Sequence, residues 1–215
     1  MVSAVLEVFG LGLCVIGWLL VMLACGLPMW EVTAFIDGNI VLTQTVWEGL
    51  WMTCVVQSTG QMQCKTHDSM LSLTRDLQAA RALTIISSVL GVFGLLVTIA
   101  GAQCTNCIQG EGSKVRIVNA GGVIFIVSGF LLLIPLCWMA HRIIVDFYDP
   151  QVPSPMKREM GAALYIGWAA AALLFVGGGM LCCSCPQRGA SSYAVKYAPP
   201  IRAAQNGEYD KKNYV

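Results

Sequence analysis

Four apolar runs, at about 8–28, 82–102, 117–140 and 161–183, carry no acid or base in their interiors, and polar residues gather between them. Each is close to the ~20 residues that a helix needs to cross ~30 Å of hydrocarbon. Helices are expected because backbone polar groups in lipid must be satisfied within the segment. The pattern predicts four membrane-spanning helices joined by a long polar connection (29–81), a short one (103–116) and an intermediate one (141–160). A membrane domain at 1–185 is followed by a polar tail at 186–215, poor in bulky aliphatics and expected to be disordered. The first run is expected to remain as an anchor. MVSAVLEVFG has no Lys or Arg, and the apolar stretch is longer than a usual signal-peptide core.

Within the long connection the period shortens to two. WEVTAFI (30–36) and NIVLTQ (39–44) read as strands joined by the turn residues Asp37 and Gly38. A third and a fourth strand flank Ser58-Thr59-Gly60. Pairing Cys54 with Cys64 across them sets Val56 opposite Met62 and Gln57 opposite Gln61. Gly60 then takes the positive φ that a three-residue hairpin loop needs last. Alternation puts Met52, Cys54, Val56, Met62 and Cys64 on an apolar face. Thr53, Val55, Gln57, Gln61, Gln63 and Lys65 fall on a mostly polar one. Trp30, Trp47 and Trp51 are expected to seat this small antiparallel sheet at the bilayer interface.

Composition agrees with a membrane protein. The 215 residues are 56% hydrophobic and 12% charged, against about 25% charged in soluble domains. The net charge of +1 offers nothing to attract nucleic acid. Lys and Arg do not orient the chain: seven lie in the short connection and tail, six in the other two connections. The cysteines do. Cys54 and Cys64 are the only two in the longer connections and read as a disulfide, which belongs in an oxidising compartment. Cys104, Cys107, Cys182, Cys183 and Cys185 gather at span ends on the opposite face, where palmitoylation is common. The long loop is therefore expected outside and both termini in the cytoplasm. The cysteine clusters lack the histidine and the folded knuckle of a zinc site, so no metal or other cofactor is expected. No span carries an acid or base that would build an enzyme site, nor a polar stripe like a channel's.

Trp30, Gly49-Leu50-Trp51, Cys54 and Cys64 together resemble the W…GLW…C…C signature of the claudins, tetraspan proteins of tight junctions. The likeness covers nearly the whole chain, with Arg81 closing the first loop and Tyr214-Val215 at the end. It is nearest to claudins whose first loop reads VVQSTGQMQCK. The resemblance implies a left-handed four-helix bundle under a five-stranded extracellular sheet, the fifth strand coming from the second loop. It implies strands of claudins polymerised side by side in one membrane and meeting strands of the next cell.

Further roles follow from the same likeness. Gln57 and Lys65 match positions that tune charge selectivity. Lys65 is a base where cation-pore members carry an acid, which points to a barrier that disfavours cations. The connection 30–81 holds five acids and three bases, yet the polar face carries only Lys65. Met70 matches the knob of side-by-side assembly, and Phe147 and Met160 its socket. Phe147, Tyr148, Pro150, Val152 and Pro153 resemble a contact loop between cells. Some claudins with this first loop take a bacterial enterotoxin through an Asn-Pro-Leu-Val-Pro/Ala stretch. Asp149 and Gln151 depart from it, which puts that partner in doubt. Tyr214-Val215 suits a PDZ scaffold, whose sheet edge receives a free C-terminal carboxylate. Asp76 and Arg81 are positioned to pair. The alternative is a tetraspan accessory subunit or myelin-like adhesion protein, which shares the signature without forming strands.

Overall fold

The computed structural model describes residues 2–34, 44–67, 74–102, 111–153 and 156–184. Four helices, α1 (Val2–Gly26), α2 (Arg75–Gly101), α3 (Glu111–Tyr148) and α4 (Ala162–Cys183), are each long and apolar enough to cross a membrane. Strands β1 (Glu31–Thr33), β2 (Gln44–Glu48), β3 (Met52–Gln57) and β4 (Met62–Thr66) lie between α1 and α2, and β5 (Arg158–Met160) lies between α3 and α4. This order puts all five strands at one end of an up-and-down bundle. The two ends of the membrane domain lie at the other.

The sheet is antiparallel throughout, in the order β4-β3-β2-β1-β5, so a fifth strand does come from the second connection. Cys54 is bonded to Cys64, with Val56 opposite Met62. Gln57 N–H donates to Gln61 O at 3.0 Å, and Gly60 has φ +80°. The hairpin register expected from alternation and turn chemistry is the one observed. The expected 39–44 strand is placed differently. Its partner to β1 is Gln44–Glu48, and 39–43 lie outside the described residues, as does the Asp37-Gly38 turn. Val46 and Trp47 favour strand as well as the earlier apolar residues do.

Helix ends also depart from the apolar runs. α2 begins at Arg75 and α3 runs for 38 residues, about 57 Å at 1.5 Å each, far more than the hydrocarbon requires. Phe147 and Tyr148 are thus the last turn of a helix, not part of a loop. Lipid thickness sets how much of a helix must be apolar, not where it stops. α3 stops because Asp149 precedes Pro150, and a residue before proline is pushed out of the helical region.

The helices approach closely at small residues. On the α1–α4 seam a Cβ on Gly177 would meet Cys14 Sγ at 2.6 Å. On α3–α4, Gly122 and Gly178 face each other, whereas Gly179 faces open space. Between α2 and α3 the buried hydroxyls of Ser87 and Ser128 lie 3.0 Å apart, and each donates to the other's carbonyl.

Candidate functional site

The sheet stands on the bundle through the signature residues. Trp30 is fully buried, and its Nε1 donates to Ala24 O at 2.8 Å, capping the end of α1. The expectation that Trp30 anchors in the bilayer interface is therefore corrected. A buried indole needs a hydrogen-bond partner, and the carbonyls at the end of α1 need donors. Gly49 follows β2 and turns the chain tightly, its N–H reaching Met52 O at 3.0 Å. A Cβ there would lie 2.4 Å from Pro28 Cα, so only glycine fits. Leu50 is buried, and its carbonyl accepts from Nε of the buried Arg81. The Arg81 guanidinium also lies 5.1 Å from the centre of the Trp51 ring. The five signature residues thus form one joint between α1, the β2–β3 turn and α2.

Charged residues add a second joint. Arg142, near the sheet end of α3, bonds Glu31 on β1 and reaches Asp76 on α2 at 3.5 Å. Asp76 thus finds Arg142, while Arg81 turns to Leu50 and Trp51. Arg158 on β5 reaches Glu48 on β2 at 3.6 Å. Glu31 is 5% exposed and lies opposite Glu48 in the sheet. Burial pushes its carboxyl above the usual carboxylate range and Glu48 adds to this, while Arg142 opposes both. Thr33 completes the β1–β2 pairing with its side chain. Its hydroxyl donates to Val46 O at 3.1 Å and accepts from Val46 N–H at 3.0 Å.

The sequence reading did not single out Glu31, Glu48, Arg142 or Arg158. The available signal was an acid inside a strand-like stretch, beside Trp30, and a base just past the third apolar run.

Gln57 and Lys65 share one face of the sheet, as alternation requires. They are not neighbours, because Lys65 lies opposite Thr53, four residues or about 13 Å along β3 from Gln57. Lys65 is exposed and Gln57 half-buried. The apolar face is only partly covered. Cys54 is buried, but Met62 is 55% exposed and all of β4 is exposed. β4 is an edge strand with a neighbour on one side only.

Met160 lies on β5 opposite Glu31 and packs against the core. Phe147 is half-buried, with Lys157 Nζ 5.5 Å from its ring centre. Met70, the expected knob, lies outside the described residues. Tyr148 is 78% exposed. Beyond it Asp149 Oδ1 accepts from Gln151 N–H at 2.8 Å, holding a turn that displays Pro150 and Pro153, with Val152 half-buried. At the other end Cys182 is half-buried, its Sγ donating to Asn119 O at 3.8 Å, and Cys183 is exposed; neither is bonded in a disulfide. Cys104, Cys107, Cys185, Tyr214 and Val215 lie outside the described residues. Among the described residues no three His, Cys, Asp or Glu side chains group as metal ligands.

Residues 4–181 match the PMP-22/EMP/MP20/Claudin family. The chain is 56% identical over 216 residues to Claudin-5 of Homo sapiens, covering 99% of each chain. It is 54% identical over 220 residues to Claudin-6 of Homo sapiens, covering 100% of each. To Claudin-4 of Bos taurus it is 56% identical over 209 residues, 97% of this chain and 100% of the relative. This tetraspan membrane protein, with its five-stranded sheet jointed to the bundle at Trp30, Gly49, Leu50, Trp51 and Arg81, belongs to the PMP-22/EMP/MP20/Claudin family and, within it, to the claudins.

Proposed function

We propose that the chain is a structural and adhesive protein of tight junctions, which polymerises into strands and forms a paracellular barrier that disfavours cations. The observation that carries this reading is the polar face of the jointed sheet, where Lys65 is the one base on β3 and β4. The sheet faces the extracellular gap and both termini lie in the cytoplasm, since the Cys54–Cys64 cystine belongs on the oxidising side. A fixed positive charge beside a narrow aqueous path repels cations and attracts anions.

Within a strand, Met70 of one protomer enters a socket at Phe147 and Met160 of the next. Facing membranes meet through Tyr148, Pro150, Val152 and Pro153, set on the rigid end of α3. In the cytoplasm Val215 enters a PDZ scaffold of the junction, and acyl chains on Cys182, Cys183 and the neighbouring cysteines dip into the lipid. The protein works by assembly and needs no cofactor or catalytic group.

Expression in junction-free fibroblasts tests the assembly: strands at cell contacts are expected, and diffuse surface protein would favour the accessory-subunit reading. In epithelial monolayers, dilution potentials test the charge. Lys65→Asp is expected to raise the cation-to-anion permeability ratio, and an unchanged ratio removes Lys65 from the mechanism.

A further inference from the structure

The strand pairings line up one row of side chains across the whole sheet. Lys65 lies opposite Thr53, Thr53 opposite Glu48, Glu48 opposite Glu31, and Glu31 opposite Met160. Residues directly opposite one another share a face. Exposure falls along this row: Lys65 is exposed, Thr53 and Glu48 are half-buried, and Glu31 is buried and bonded to Arg142. Glu48 is therefore the acid of the row that still meets water. It stands two strands from Lys65, about 10 Å away, close to the Debye length of ~8 Å at physiological salt. An ion passing Lys65 feels both charges, and their effects oppose each other.

The second connection supplies an answer to that acid. Arg158 on β5 lies opposite Thr33. Thr33 is two residues from Glu31 on β1, so Arg158 shares the face of Glu31 and Glu48. Its side chain crosses β1, and Nη2 comes within 3.6 Å of Glu48 Oε2. The two side chains remain 30% and 31% exposed. An ion pair this wet adds little stability, so the contact acts more on the field over the sheet than on the fold. The neighbouring acid, Glu159, is on the other face. It lies opposite Val32, in the row that continues through Trp47 to the cystine.

We propose that Arg158 is a second determinant of charge selectivity: by neutralising Glu48 it keeps the acid on β2 from cancelling the field of Lys65. The inference rests on the paracellular reading above. It makes the second connection, through β5, a partner of the first in setting which ions pass.

The test measures dilution potentials across epithelial monolayers expressing the full-length protein, with surface biotinylation to match delivery. Arg158→Gln releases the charge of Glu48 and is expected to raise the cation-to-anion permeability ratio about twofold, the effect of one charge ~10 Å away in water. Glu48→Gln releases the charge of Arg158 and is expected to lower the ratio by a similar factor. Combining the two substitutions is expected to return the ratio to that of the unaltered protein. Opposite shifts from the two halves of one contact separate charge from fold, because a damaged barrier leaks and would move both single variants towards the ratio of free solution. Shifts of the same sign, or none, would overturn the proposal. Lys65→Asp in the same monolayers tells the two readings apart. A response to Lys65→Asp with none to Arg158→Gln or Glu48→Gln removes the role of Arg158 alone. No response to any of the three removes the charge role of Lys65 together with it.

Discussion

Arg142 on α3 bonds Glu31 on β1, across 111 residues of sequence. Because Arg142 also reaches Asp76 on α2, one guanidinium ties β1 to two helices. Removing one partner of a buried pair leaves an uncompensated charge, which costs about 3 kcal/mol or more. Arg142→Met should therefore lower Tm in detergent by roughly 5–10 °C. Arg142→Met with Glu31→Gln should regain most of the loss, because no charge is then left buried. Equal losses in the single and double variants would mean that Arg142 matters for its contact with Asp76 instead.

The same carboxyl makes stability depend on pH, with a defined sign. Burial raises the Glu31 carboxyl in the folded protein above its ordinary value. The folded state then binds the proton more readily than the unfolded chain. Its contribution is present in full below the ordinary carboxylate range and is lost as pH rises through the folded value. The Tm of the unaltered protein minus that of Glu31→Gln should accordingly fall as pH increases from about 4 upward. In Arg142→Met the group that most strongly pulls the carboxyl down is gone, and only Arg158 is left to oppose burial. Its deficit should shrink on acidification, which a thermal series in pH would reveal.

Gly49 and Gly12 make a matched pair. A Cβ on Gly49 would sit 2.4 Å from Pro28 Cα and 3.0 Å from Leu27 O, whereas one on Gly12 would meet nothing within 4 Å. Pro28 and Leu27 are backbone at the end of α1 and cannot swing aside like a side-chain tip. Gly49→Ala should cost about 3 kcal/mol, the upper part of the overpacking range, and reduce delivery to the cell surface. Gly12→Ala should be neutral or slightly stabilising, since alanine is the better helix former by about 1 kcal/mol. Surface biotinylation of the two variants compares them directly.

What was legible in the sequence divides by the range of the forces. The four spans and the β3–β4 hairpin rest on local rules, namely run length, alternation and a glycine with positive φ, and residues 52–66 fold as those rules require. The ends of α3 were not legible, because Pro150 and the hold of Arg142 on the sheet decide them rather than the lipid. Trp30 looked like an interfacial anchor because its partner, Ala24 O, belongs to a helix end whose position a pattern of hydrophobicity does not give. The charged joint was invisible for a simpler reason. Nothing local pairs Glu31 with Arg142 or Glu48 with Arg158, and only the assembled sheet brings β1 and β2 to β5 and α3. Assembly surfaces were read from family likeness, and Met70 falls where the structure is not described.

The Cys54–Cys64 bond closes a loop of 10 residues, worth about 2–3 kcal/mol in the chain-entropy model. How that stabilisation is distributed follows from the place of β4. The strand is exposed along its length, pairs only with β3, and contributes no residue to the buried core. Cys54, by contrast, is buried beneath the sheet. Cutting the cystine should free β4 to open locally while the bundle and the joint at Trp30 and Arg81 stay closed. Cys54→Ala with Cys64→Ser places the apolar residue at the buried position and the polar one at the exposed position, avoiding a new unsatisfied group. In this variant tryptic cleavage after Lys65 should quicken by about tenfold or more, with the Tm of the helices changed by no more than about 4 °C. A larger fall in Tm, matching the rise in cleavage, would show that the edge strand unfolds together with the bundle and that the cystine holds the whole protein rather than one hairpin.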